Sequence, residues 1–240
     1  LEFIITRNGK RTMKICNDLL MNDVPASGQL KESESVSFCL REHADIKLLF
    51  LGNSITRHGK AESLGWLGDW GMAASRAEKD YVHTLVRLLE EDGKRVSYCV
   101  ANLSEWERTR DMSLLSSRYA AAKAFGADIV IVRLGENAGL TENLSAFLPC
   151  YRDMSAYFTA DGARAVITDL FWEYEPFDSF VQSFAKEQGF AFARLHDLGN
   201  AEEMKATGIF SHQGVAAHPG DKGMAEIAKR IYCALTSILN

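Results

Sequence analysis

A serine becomes a nucleophile when a base takes its proton and donors stand ready for the negative charge that develops on the carbonyl it attacks. Residues of these types stand at four places in the 240-residue chain. Ser54, in Leu51-Gly52-Asn53-Ser54, directly follows an apolar run, so it would project from a strand end where glycine permits a tight turn. His218, in Ala217-His218-Pro219-Gly220, precedes a long amphipathic stretch. Pro219 suits the first turn of a helix, and a histidine there can reach back across strand ends as a general base. Asn137, in Gly135-Glu136-Asn137, offers a side-chain amide to a developing oxyanion, and the backbone N–H groups of Ser54 and Asn102 are further donors. Taken singly, each residue has a plainer reading: Ser54 as a helix cap, His218 as a surface-loop histidine, Asn137 as a turn residue.

The elements that must position them follow from hydrophobic periodicity. Apolar runs at Ile46–Leu51, Val96–Val100, Asp128–Leu134, Arg164–Leu170 and Phe190–Leu195 read as strands. Helical spacing over Glu78–Glu91, Ser116–Phe125, Leu144–Thr159 and Phe177–Gln188 alternates with them, and a last helix follows Pro219, with Met224, Ile227, Ala228, Ile231, Leu235 and Ile238 on one face. Strands apolar nearly throughout must be covered on both faces, so the pattern predicts a parallel sheet of about five strands between two helical layers. In such sheets ligand chemistry belongs at the carboxyl ends of the strands, which is where Ser54, Asn102 and Asn137 fall. Residues 1–44 read differently, as a β-rich extension packed on the main domain of residues 45–240. Phe3–Thr6, Thr12–Cys16 and Val36–Leu40 are its short strands, separated by turn signals at Asn8-Gly9 and Pro25-Ala26-Ser27-Gly28.

Composition narrows the function classes. With 47% hydrophobic and 25% charged residues the chain is built to bury a core, not to stay disordered. Its 27 basic and 32 acidic residues give a formal charge of −5, and the basic ones are scattered, which disfavours nucleic acid as a partner. No apolar run approaches the length of a membrane span. Five cysteines without a C-x-x-C pair read as mostly buried thiols, not a disulfide framework. Oligomeric state and compartment stay open, the latter between periplasmic or secreted and cytoplasmic.

The joint order of Gly52-Asn53-Ser54, Asn102, Gly135-Glu136-Asn137 and His218-Pro219 resembles the SGNH hydrolase family, the GDSL-type esterases and lipases, over about residues 45 to 240. The resemblance implies a flavodoxin-like three-layer α/β/α sandwich with a five-stranded parallel sheet. It also implies Ser54 as nucleophile, His218 as base, an oxyanion hole of the Ser54 and Asn102 N–H groups with the Asn137 amide, and ester hydrolysis through an acyl-enzyme without metal or cofactor. Two departures stand out. Asn102 occupies the place where the family usually carries glycine. Val215 occupies the place, three residues before His218, where the family carries the acid of its triad. The imidazole is then held either by a backbone carbonyl, in a Ser–His dyad, or by a carboxylate from elsewhere. Asp169 and Glu136, at the same sheet edge, are the candidates.

Other residues bear on substrate. Trp66 and Trp70, in Trp66-Leu67-Gly68-Asp69-Trp70, together with Trp172, suit stacking on sugar rings if exposed. Arg57 and His58 follow the nucleophile closely enough to meet a polyol or an anionic group. The Gly-Asn-Ser form, the tryptophan-rich loop and the β-rich extension resemble carbohydrate-acting members of the family, so a short-chain, O-acetyl-type ester on a glycan is the expected substrate. Two alternatives come from other classes. One is a degenerate carbohydrate-binding module, suggested by Val215. The other is a flavin-binding protein, disfavoured by the absence of a glycine-rich phosphate cradle in the first loop.

Overall fold

A computed structural model describes residues 4–5, 11–12 and 32–239 of the chain. Strands β1 (Ile4–Ile5) and β2 (Arg11–Thr12) pair antiparallel. The remaining residues of the first two expected strands, both turn signals and Cys16 lie outside the described residues. Strands β3 (Val36–Cys39), β4 (Ile46–Gly52), β5 (Val96–Asn102), β6 (Ile129–Val132), β7 (Arg164–Thr168) and β8 (Ala191–Ala193) form one sheet in the order β3-β5-β4-β6-β7-β8. Five of them, β4 to β8, are parallel as expected. The sixth is an addition: β3, assigned from sequence to the extension, runs antiparallel along the edge of β5, with Val36 opposite Ala101. The first parallel strand, β4, lies inside the sheet, and the chain departs from it first to β5 on one side and then to β6 on the other. The carboxyl end of β4 is therefore the topological switch point, where open α/β sheets place their ligand crevice.

Helices cover both faces: α1 (Tyr81–Glu91), α2 (Ser104–Thr109), α3 (Ser113–Ser116), α4 (Ala120–Ala124), α5 (Leu140–Thr159), α6 (Glu175–Gln188), α7 (Gln213–Ala216) and α8 (Asp221–Leu239). The three layers can be read along β4 itself. Leu49 and Leu51 join one core with Trp106, Phe147, Tyr151 and Phe177, whereas Leu48 and Phe50 join the other with Leu85, Ile227 and Ile231. Alternate residues of a strand point to opposite faces, so an unbroken apolar run fills both cores. Each large side chain so buried contributes about 1.5–3 kcal/mol. The single helix expected over Ser116–Phe125 is instead the pair α3 and α4. The hydroxyls of Ser116 and Ser117 both donate to the Ser113 carbonyl there, competing with the backbone ladder. No helix among the described residues is long and apolar enough to cross a membrane.

Candidate active site

The turn that carries Ser54 is fixed from below. Asn53 C=O accepts from Thr56 N–H at 2.9 Å and Arg57 N–H at 3.0 Å, rolling residues 53–57 into a single tight turn. The turn lies so close to the end of β4 that a Cβ at Gly52 would fall 1.7 Å from Thr56 Oγ1, which is why only glycine fits. Ser54 C=O accepts from Met72 N–H at 2.8 Å, tying the turn to the tryptophan-rich loop. Among the described residues no acceptor takes the Ser54 N–H.

His218 arrives from the opposite end of the chain, between α7 and α8. Its Nε2 lies 2.8 Å from Ser54 Oγ and its Nδ1 lies 2.6 Å from Gly214 O. A carbonyl only accepts, so Nδ1 carries the proton and Nε2 is left to accept from the serine hydroxyl. Burial, with the positive charge of Arg133 adding to it, holds the imidazole pKa below its ordinary value, opposed by the Gly214 contact and Glu136. The shift favours the neutral ring, the form a general base needs. Trp172 meets His218 edge to face, with ring centroids 5.4 Å apart.

Neither carboxylate candidate reaches this imidazole. Asp169 Oδ1 accepts from the backbone N–H groups of Leu195 and His196, and its Oδ2 lies 3.2 Å from His196 Nδ1. It is turned toward the end of β8, away from Ser54. Glu136 Oε1 accepts from the guanidinium of Arg133, at 2.6 and 2.8 Å, and Oε2 accepts from Asn53 Nδ2 at 2.7 Å. Of the two ways to hold the histidine, the backbone carbonyl is the one observed. Val215 itself is 1% exposed, in a small core with Trp66, Met72, Ala73 and Ala206.

The donors divide. Asn137 lines the same cavity as Ser54 and His218, and its Nδ2 donates one hydrogen to Glu107 Oε2 at 2.8 Å, leaving the second. Asn102 is a correction: its N–H donates to Ser35 O at 2.8 Å, its Nδ2 to Arg57 O at 2.6 Å, and its Oδ1 accepts from Ser104 N–H at 2.9 Å. Ser35, directly before the edge strand β3, takes the backbone donor, and the pairing of β3 with β5 that brings it there is not visible in an extension known only to pack on the main domain.

The cavity around these groups has a volume of about 840 Å³. Arg57 and His58 line it, as do Glu34 and Ser35, directly before β3. The Arg57 fork is engaged by Asp69, at 2.9 and 3.0 Å. The expectation for Trp66 needs correction too. It is 2% exposed, donates its indole N–H to His58 O, and packs on Trp70, so it closes the loop's own core and offers no face to a sugar. Trp70 is half-buried with its N–H on Ala74 O, and Trp172 is half-buried against Phe171 and His218; neither lines the cavity.

Two functional-looking residues escaped the sequence reading. Arg133 and Glu107 are both fully buried beneath the turn. Arg133 had a signal, since a lone charge inside the run Ile129–Leu134 must find a buried partner. Glu107 had none, lying in the charged stretch Ser104-Glu105-Trp106-Glu107-Arg108 that reads as a solvated face.

No protein-family model matches the sequence, and no curated protein matches it. Solved structures do match in fold. The family 3 carbohydrate esterase of Clostridium thermocellum is similar with a TM-score of 0.57 at 14% identity, covering 81% of this chain and 96% of that one. TesA is similar with a TM-score of 0.53 at 18% identity, over 80% and 98%. A protein assigned to the G-D-S-L lipolytic family from Desulfitobacterium hafniense DCB-2 gives 0.51 at 16% identity, over 79% and 99%. The chain therefore has the flavodoxin-like fold of GDSL/SGNH-type proteins.

Proposed function

We propose that the protein is a serine esterase that hydrolyses short-chain carboxylic esters, O-acetyl groups on carbohydrate foremost. The observation that carries this reading is the 2.8 Å approach of Ser54 Oγ to His218 Nε2 at the switch point of the sheet, beside the Asn137 amide. His218 takes the hydroxyl proton as Ser54 Oγ attacks the ester carbonyl. The Ser54 N–H and the second Asn137 Nδ2 hydrogen stabilise the oxyanion. The alcohol leaves with the proton from His218, and water, deprotonated by the same imidazole, releases the acid from the acyl-enzyme. Each step uses only the two ring nitrogens and the donors already described. A glycan as alcohol is supported by the cavity's polar lining, in which Arg57 is paired with Asp69 and Arg118 with Glu105, and Glu34, Lys60 and Arg108 add further hydrogen-bonding groups. The likeness in fold to a carbohydrate esterase supports the same choice.

The test is hydrolysis of short chromogenic esters and of acetylated oligosaccharides by wild type and Ser54→Ala. Turnover that vanishes in Ser54→Ala, with acetyl preferred to longer acyl groups, is expected. A second reading, a carbohydrate-binding module without turnover, is favoured by the Gly214 carbonyl standing where an acid is usual and by the lost Asn102 donor. A folded wild type that binds oligosaccharide and hydrolyses no ester would establish it.

A further inference from the structure

Beneath the candidate donors lies a buried polar network that the proposed chemistry does not yet use. Glu107, on α2, is fully buried and does not line the cavity. Three donors converge on its carboxylate: Asn137 Nδ2 on Oε2 at 2.8 Å, and Gly135 N–H at 2.5 Å and Asn53 Nδ2 at 3.2 Å on Oε1. Asn53, the residue before Ser54, is 1% exposed and fully engaged. Its Oδ1 accepts from Arg133 Nη2 at 2.9 Å and Ile55 N–H at 3.3 Å, and its Nδ2 bridges Glu107 and Glu136. One carboxylate thus joins the turn of the nucleophile to the side chain of the oxyanion donor.

An asparagine side chain has two nearly isosteric orientations, one presenting oxygen and one presenting N–H₂ at a given point. An ionised carboxylate accepts only, so it admits just the orientation that turns Nδ2 toward it. We propose that Glu107 is a positioning residue. Its carboxylate selects the amide orientation of Asn137 that keeps an N–H for the cavity, and through Asn53 it registers that donor to Ser54. The inference rests on the hydrolase reading above.

The surroundings make the carboxylate costly to keep. Burial first, then the negative charge of Glu136, pushes the Glu107 pKa up to about 7, against the opposing hydrogen bonds from Asn137, Gly135 and Asn53. The titratable and charged groups facing it are Glu136, whose charge Arg133 holds, and the Tyr119 and Tyr151 hydroxyls from the other packed elements. A glutamine would fill the same space without the charge, but it would direct an N–H₂ or an oxygen at each of three donors and satisfy only some of them. The three hydrogen bonds the carboxylate receives call for a group that only accepts.

The test is kcat and KM on a short chromogenic acetyl ester for wild type, Glu107→Gln, Asn137→Ala and the double variant, with Ser54→Ala as the blank. If Glu107 acts through Asn137, Glu107→Gln lowers kcat by about ten- to a hundredfold with KM little changed, less than the loss of a whole oxyanion donor. In the Asn137→Ala background the same change costs under about threefold, because neighbouring residues that act as a unit are not additive. The acidic limb of kcat/KM, near pH 7 in wild type, moves lower in Glu107→Gln, where His218 is the remaining group. Should Glu107→Gln fail to fold, Glu107→Asp in the same two backgrounds reads the same coupling. Wild-type kcat in the folded variant, or an equal loss in both backgrounds, overturns the inference while leaving the hydrolase reading standing. Absence of Ser54-dependent hydrolysis by folded wild type overturns the hydrolase reading, and the inference with it.

Discussion

His218 Nδ1 donates to the carbonyl oxygen of Gly214 at 2.6 Å, in the place a carboxylate side chain takes in a serine–histidine–acid triad. The carbonyl fixes the tautomer as an acid would, which leaves Nε2 facing Ser54. Being neutral, it stabilises the imidazolium less. The main chain supplies orientation here, and the side chain at the usual acid position is free to do something else.

Val215 does so by packing against Trp66, Met72, Ala73 and Ala206. Val215→Asp would bury a carboxyl among apolar groups with no donor provided, and a loss of at least ~2 kcal/mol in unfolding free energy is expected, with kcat no higher than wild type. Urea unfolding and steady-state kinetics check this together. A raised kcat at wild-type stability would show that an acid at this position does reach Nδ1.

Asp169, engaged by Leu195, His196 and the end of β8, is expected to bear on stability and not on turnover. Burial, aided by Asp178, pushes its pKa from 3.8 up to about 6, against hydrogen bonds from Leu195 and His196 and the charge of His196. A carboxyl whose folded pKa lies above its unfolded one holds its proton more tightly in the folded state. Its contribution is therefore greatest below pH about 4 and declines as pH rises to about 6, by on the order of 3 kcal/mol. The stability difference between wild type and Asp169→Asn is expected to shift against wild type by that order between pH 4 and pH 7, with kcat at pH 7.5 unchanged. A large fall in kcat at unchanged stability would return Asp169 to the catalytic machinery.

Gly52 tests how the nucleophile turn is built. With Thr56 Oγ1 1.7 Å from where a Cβ would stand, and that hydroxyl bonded to Tyr81 OH at 2.8 Å, Gly52→Ala forces the turn to move. A loss of about 1–3 kcal/mol is expected from the overpacking, together with reduced turnover because Ser54 lies two residues on. Thermal melting and ester hydrolysis read both. Wild-type values for the two would mean that the turn has room to spare.

The sequence made the layer order legible because unbroken apolar runs such as Ile46–Leu51 admit only a sheet covered on both faces. Ser54, Asn137 and His218 could be singled out as candidates because each lies within two residues of a glycine or proline, where the chain must turn. Val36–Cys39 was legible as a strand but not as a neighbour of β5, since edge pairing is decided by a partner some sixty residues away. The fate of the Asn102 N–H depended on that pairing and was hidden with it. Trp66 was misread because an indole within a polar loop looks exposed until the loop is seen to fold on itself.

The most direct measurement is the intact mass of the protein after treatment with a serine-directed fluorophosphonate, for wild type, Ser54→Ala and His218→Ala. A single adduct on wild type, mapped to Ser54 by peptide mass and absent from both variants, is the expected result. An adduct that persists in Ser54→Ala, or a folded wild type that takes up no reagent, would contradict a nucleophilic Ser54 activated by His218.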